Sequence, residues 1–156
     1  MRPWAEVILG LAVLLTASFA AAAPYSFAVF GDTPYFAAEE PQVERVIREM
    51  NREPLAFAVH IGDIKSGWEA CSDAVFESRK RLFGEIRHPF LLVPGDNEWT
   101  DCHRLSTGSF DPIERLERLR AVFYPGGEPA HARGGFQGES QNNAGYPENR
   151  LWRDAG

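Results

Sequence analysis

Phe27-Ala28-Val29-Phe30-Gly31-Asp32 is an apolar run closed by Gly-Asp. The chain repeats the pattern in Ala58-Val59-His60-Ile61-Gly62-Asp63 and Leu91-Leu92-Val93-Pro94-Gly95-Asp96. The three aspartates sit 31 and 33 residues apart. That interval fits one strand, one loop, one helix and a return. Composition alone predicts about 0.6 Gly-Asp pairs in such a chain. Three occur, all at the ends of apolar runs. If the strands are parallel neighbours, all three carboxylates emerge at one sheet edge, where they repel each other unless protons or a cation intervene. The pattern therefore points to a metal site.

Between the runs the apolar residues change period. Pro41 opens a helix, since its missing N–H is no loss in a first turn. Val43, Val46, Ile47 and Met50 then recur at helical spacing. Ser72 reads as the N-cap of a second helix, with Asp73 in its first turn. Val75, Phe76, Leu82, Phe83 and Ile86 form its apolar face. Asp111 caps a third helix with Pro112 at its first position, and Ile113, Leu116, Leu119, Val122 and Phe123 supply the stripe. Strands are expected over 25–30, 55–61 and 90–93. The order β-α-β-α-β-α is that of an α/β layer with a parallel sheet and right-handed crossovers. Ligands of such sheets bind beyond the C-terminal strand ends, where the aspartates lie. Residues 24–124 read as the N-terminal part of a domain. Residues 125–156 are rich in glycine and asparagine, show no apolar period, and are expected as a loop or disordered tail of a truncated domain.

The chain has 156 residues, enough for one domain with its own core. A net charge of −6 and the lack of any Lys/Arg run exclude a nucleic-acid binder working through a basic surface. Residues 1–22 have the form of a secretory signal peptide: Arg2, an apolar stretch over 7–15, and the tract Ala17-Ser18-Phe19-Ala20-Ala21-Ala22-Ala23. Cleavage is expected after Ala20 or Ala22. The alternative is an uncleaved N-terminal anchor, although the apolar stretch is shorter than the ~20 residues of a membrane span. A periplasmic or secreted protein follows, with no stable membrane span after cleavage. Export puts Cys71 and Cys102 in an oxidising compartment, where an even count favours a disulfide. Each follows a Gly-Asp turn by a few residues, on loops that adjacent strands bring together. Free thiols are the alternative, with no basic or metal-binding context to support them.

Aspartate is a hard oxygen ligand for Mg²⁺, Mn²⁺, Fe or Zn²⁺, and glycine lets a strand turn sharply. Carboxylates on neighbouring strand ends can share two ions about 3.5–4 Å apart, which polarise a phosphoryl group and supply hydroxide near neutral pH. The blocks Gly31-Asp32-Thr33-Pro34-Tyr35, Gly62-Asp63-Ile64-Lys65-Ser66-Gly67 and Gly95-Asp96-Asn97-Glu98 resemble the first three motifs of the calcineurin-like metallophosphoesterases. Those motifs are Asp-x-His, Gly-Asp-x-x and Gly-Asn-His-(Asp/Glu), and the similarity covers residues 25–100. The resemblance implies two divalent ions (Mn, Fe, Zn or Mg), with Asp32 on one, Asp63 bridging both and Asp96 on the other. It implies a small phosphorylated substrate. It also implies half of a four-layer α/β/β/α sandwich, with the C-terminal half missing and one sheet face and a strand edge exposed.

The departures are specific. Pro34 stands where the family has His, and Ser66 where purple acid phosphatases supply a Tyr ligand. Tyr35 is a candidate substitute. Asp96 replaces Asn, and Asn97 replaces the His that acts on the leaving group. Asn97 donates hydrogen bonds but is no acid near neutral pH. The family's two later His motifs have no counterpart, since His103 and His131 are isolated. The expected function is an exported phosphoesterase acting by metal-bound hydroxide. In it Asn97 orients the substrate and Lys65 or His103 assists. The alternatives are a non-catalytic metal- or phosphate-binding protein on the same fold, or an inactive fragment. Lys65 reads equally as a solvated loop lysine, Glu98 as a further ligand, an acid or a plain loop carboxylate, and His103 more readily as a surface residue. His60 reads as a packed strand residue. Trp68 and Trp99 either wall the site or pack long loops.

Overall fold

In the computed structural model, which describes residues 25–153, three short strands form one parallel sheet in the order β1 (Ala28–Phe30), β2 (Ala58–His60), β3 (Phe90–Leu92). Ala28 pairs with Ala58 and Ala58 with Phe90, so the three Gly-Asp turns leave the sheet in register. Each strand is shorter than the apolar run that encodes it. The expected signal peptide lies outside the described residues. Among the described residues no helix is long and apolar enough to cross a membrane.

Helix α1 (Glu40–Met50) has Pro41 in its first turn. Helix α2 (Asp73–Gly84) starts at Ser72, whose side chain accepts from the Val75 N–H. Helix α3 (Pro112–Phe123) starts at Asp111, whose carboxylate accepts from Ile113 at 2.8 Å and Glu114 at 3.0 Å. Alternation along the strands sends Phe30, Ala58, His60, Phe90 and Leu92 to the helical side. There they join Val43, Ile47, Phe76, Phe83, Leu119 and Val122 in one core. Phe83 is its centre, with its ring against Phe30, His60 and Phe90. The stripes are narrower than the sequence predicts: Val46 and Ile113 are exposed. Val46 sits at the sheet margin, in a shallow apolar groove with Ala28, Met50 and Leu55, where no third layer covers it.

The opposite sheet face carries Phe27, Val29, Ile61 and Val93, all exposed. Strand β1 forms one edge of the sheet. The edge of β3 is occupied: the Tyr124 hydroxyl donates to the Leu92 carbonyl, and the Phe90 N–H donates to His131 O at 3.0 Å.

The stretch expected as loop or tail contains an antiparallel hairpin, β4 (Gly138–Gln141) with β5 (Tyr146–Trp152). Gly145, at φ 85°, supplies the left-handed residue before β5. The hairpin has little apolar pattern because contacts distant in sequence hold it. Trp152 meets Phe57 and Phe136 edge-on, Arg120 pairs with Glu148, and Arg150 pairs with Glu128 at 2.8 Å.

Candidate metal centre

The Gly-Asp turns divide their labour differently from the sequence expectation. Two of the aspartates make the sharp turn themselves: Asp32 and Asp63 both have φ 57°. Aspartate enters this left-handed region more readily than most residues. Gly62 shares the turn, at φ 98°, and Gly62 and Gly95 also serve close approach. A Cβ on Gly62 would lie 2.2 Å from the Gly95 nitrogen, and one on Gly95 would lie 2.2 Å from Asp63 Oδ1. The second and third turns therefore touch backbone to backbone.

Their contacts converge on Asp63. Its Oδ1 accepts the N–H groups of Asp96 at 3.1 Å and Asn97 at 3.2 Å. Partial burial, then the charges of Asp96 and Asp32, push the Asp63 carboxyl up, while the Asn97 N–H opposes them. Asp32 donates its N–H to Gly62 O at 3.0 Å and accepts the Tyr35 hydroxyl at 2.7 Å. That bond, with burial and the charges of all three aspartates, holds the Tyr35 hydroxyl up at about 12. Asp32, Asp63 and Asp96 thus lie in one field, as the repeated turn predicts.

Beneath them sit two buried groups. Glu98 Oε1 accepts from Gly95 N–H at 2.6 Å and Asp63 N–H at 3.1 Å, while Oε2 has no hydrogen-bond partner among the described residues. Burial pushes its carboxyl up to about 7. Lys65 is fully buried, and its Nζ donates to Ser66 O at 2.8 Å. Burial pulls its ammonium below the usual lysine value, against the charges of Glu98, Glu69, Asp101 and Asp63. The expected phosphate contact would need this buried side chain to reach the rim.

Cys71 and Cys102 form a disulfide with their Cα atoms 5.7 Å apart, and it ties the loop after the second turn to the loop after the third. Both sulfurs lie against the Asn97 carbonyl, at 3.6 and 3.7 Å. Arg79 braces the first of these loops from below: it donates to Ile64 O at 2.7 Å and pairs with Glu69 and Glu40. No family model matches this chain, and neither a curated protein nor a solved structure matches it.

At the rim, Asn97 Oδ1 and Arg104 Nη1 both approach the position a side chain would take on Gly67, at 3.1 and 3.2 Å. Arg104 is half-exposed and pairs with Asp101 at 2.7 Å. Sequence reasoning missed it, because nothing local distinguishes an arginine eight residues beyond Asp96. His103 is exposed and bonds Thr100 O at 2.7 Å; none of the hydrogen bonds described for the aspartates involves it. Trp68 is largely exposed. As metal donors the three aspartates offer only oxygen, which fits a hard divalent cation. Among the described residues no three His, Cys, Asp or Glu side chains gather round one point.

Proposed function

We propose that the chain is a metal-dependent phosphoesterase of the calcineurin-like type, working in a periplasmic or secreted setting. Asp32, Asp63 and Asp96 would hold hard divalent ions in it. The observation that carries this reading is that the Asp96 and Asn97 N–H groups converge on Asp63 Oδ1 at the C-terminal edge of a parallel sheet, which brings the charges of Asp96 and Asp32 to bear on the Asp63 carboxyl. Clustered carboxylates repel each other unless a proton or cation intervenes. An all-oxygen donor set favours Mg²⁺ or Mn²⁺ over ions that prefer nitrogen or sulfur. On this reading the parallel sheet is the first half of a four-layer sandwich, and its exposed face is the surface the other half covers.

A bound ion supplies Lewis acidity to a phosphoryl oxygen and lowers the pKa of water. The chain's own residues do the rest. Tyr35 orients Asp32 through its hydroxyl and stays protonated at neutral pH. The N–H groups of Asp96 and Asn97 fix one oxygen of Asp63 and leave the other for an ion. Asn97 and Arg104 offer hydrogen bonds and positive charge to a phosphoryl group, the role expected of Lys65, which lies buried. The disulfide supports an oxidising location.

One observation favours a second reading, a binder without turnover. Asn97 stands where the resemblance expects His, and His103 bonds Thr100 O. Titration calorimetry with Mn²⁺, together with hydrolysis of p-nitrophenyl phosphate, separates the two. The enzyme reading expects both signals in the wild type and neither in Asp63→Asn. Mn²⁺ binding without hydrolysis selects the binder, and the absence of Mn²⁺ binding defeats both.

A further inference from the structure

Two fully buried polar side chains, His60 and Glu98, join the three turns from underneath. His60 Nε2 lies 2.8 Å from Thr33 O, in the first turn, and Nδ1 accepts the Gly62 N–H at 3.1 Å, in the second. An accepting Nδ1 puts the proton on Nε2, so Nε2–H donates to Thr33. Glu98 continues the series, since Oε1 accepts from Asp63 in the second turn and from Gly95 in the third.

We propose that His60 and Glu98 are positioning residues: two side-chain staples that set the register of the three turns, and so the spacing of the Asp32, Asp63 and Asp96 carboxylates. The backbone alone is a weak guide at this edge. Each strand is only three residues long. At and past the strand ends the first and second turns share three backbone bonds, Ile61 N–H to Phe30 O at 2.8 Å, Asp32 N–H to Gly62 O at 3.0 Å and Ser66 N–H to Tyr35 O at 3.1 Å, so the bare backbone is weakest between the second and third turns. The Val93 N–H bonds His60 O at 2.8 Å, and no backbone-to-backbone bond described beyond it joins the second and third turns. Asp63 Oδ1 holds them together, but a carboxylate drawn toward a cation makes a poor brace. Glu98 performs the same function from below, out of reach of solvent. His60 belongs to β2 and packs its ring on Phe83 and Phe30, so the rigid core is carried directly into the turns.

The metal part of the test rests on the reading above; the structural part does not. The full chain is compared as wild type, Glu98→Ala, Glu98→Gln and His60→Phe, the last keeping an aromatic ring while losing both bonds. Site-resolved amide hydrogen exchange is read at Gly62, Asp63 and Gly95, and Mn²⁺ affinity by calorimetry. Loss of Glu98 should speed exchange at Asp63 and Gly95 by about tenfold or more and leave Gly62 unchanged. His60→Phe should do the reverse. Glu98→Gln keeps an accepting oxygen and should stay within about threefold of wild type. Mn²⁺ affinity should fall about tenfold in Glu98→Ala and His60→Phe, and recover in Glu98→Gln. Unchanged exchange at Gly95 and Asp63 in Glu98→Ala overturns the proposal. So does equal loosening of all three amides, or loosened amides with wild-type Mn²⁺ affinity. If the wild type binds no Mn²⁺, the metal reading fails and the exchange pattern alone decides the staples. Should His60→Phe not fold, the Glu98 pair still decides its own half.

Discussion

Replacing Glu98 with Gln should uncover an acid sensitivity that the wild type conceals. Two buried groups under the carboxylate edge respond to pH in opposite directions. Burial holds the His60 ring down at about 4, against 6.5 for a free histidine. Between those values the unfolded chain binds a proton that the native state refuses, so His60 costs stability as pH falls through the window. Glu98 is held up at about 7, against 4.5. From 4.5 to 7 the native state keeps a proton that the unfolded chain has released, so Glu98 costs stability as pH rises. Each displacement is worth about 3 kcal/mol, with a slope of about 1.4 kcal/mol per pH unit. Across their shared window the slopes cancel, and the metal-free wild type should be nearly level. Asp63, also held up, adds modestly to the Glu98 arm. Glu98→Gln removes one arm and retains an accepting oxygen, so stability should drop by about 2–3 kcal/mol as pH falls across that window. His60→Phe should show the mirror image. Urea denaturation in EDTA, followed by circular dichroism in small pH steps, measures both. A Glu98→Gln profile as level as the wild type refutes the reasoning.

Replacing both Cys71 and Cys102 with Ala opens a loop spanning 31 residues and should cost about 4 kcal/mol by loop-closure entropy. A urea midpoint that moves by less than the equivalent of about 1 kcal/mol would contradict that figure. Phe83→Ala empties the centre of the core and should cost about 3–5 kcal/mol in the same assay. Asp63→Asn removes the like-charge repulsion from Asp96 and Asp32, so the metal-free protein should become more stable while losing Mn²⁺ binding; lower stability without metal would argue against the repulsion. In Asp32→Asn, ultraviolet titration should show Tyr35 ionising nearer its ordinary value of 10 than about 12.

The sequence shows most clearly the parts of the fold whose signals are local. Three apolar runs ending in Gly-Asp become three parallel strands, and Ser72, Asp111 and Pro112 mark helix starts through side-chain chemistry within one turn. The hairpin is hidden because Trp152, Glu148 and Arg150 find partners far along the chain. The site divides in the same way. The repeated aspartates are visible as a pattern, and the Cys71–Cys102 pairing follows from their two equivalent loops. The inward burial of Lys65 and the double acceptance by Glu98 depend on how the loops fold back under the sheet edge, which no spacing rule conveys. His60 did leave a trace, as the polar residue within an otherwise apolar strand, although a packed strand histidine leaves the same trace.

The exposed part of the sheet face also bears on handling. On the β1 side Phe27, Val29 and Ile61 stand exposed beside the edge strand, whereas Leu91 of β3 is buried and lines a groove with Leu151 and Trp152 of the hairpin. Two molecules that meet on the β1 side can pair edge to edge or bury the exposed side chains against each other. Loss from solution is then an encounter between molecules, steeper than first order in protein concentration. Dilution would protect the chain, and assays at micromolar concentration would report on a different population from a calorimeter cell.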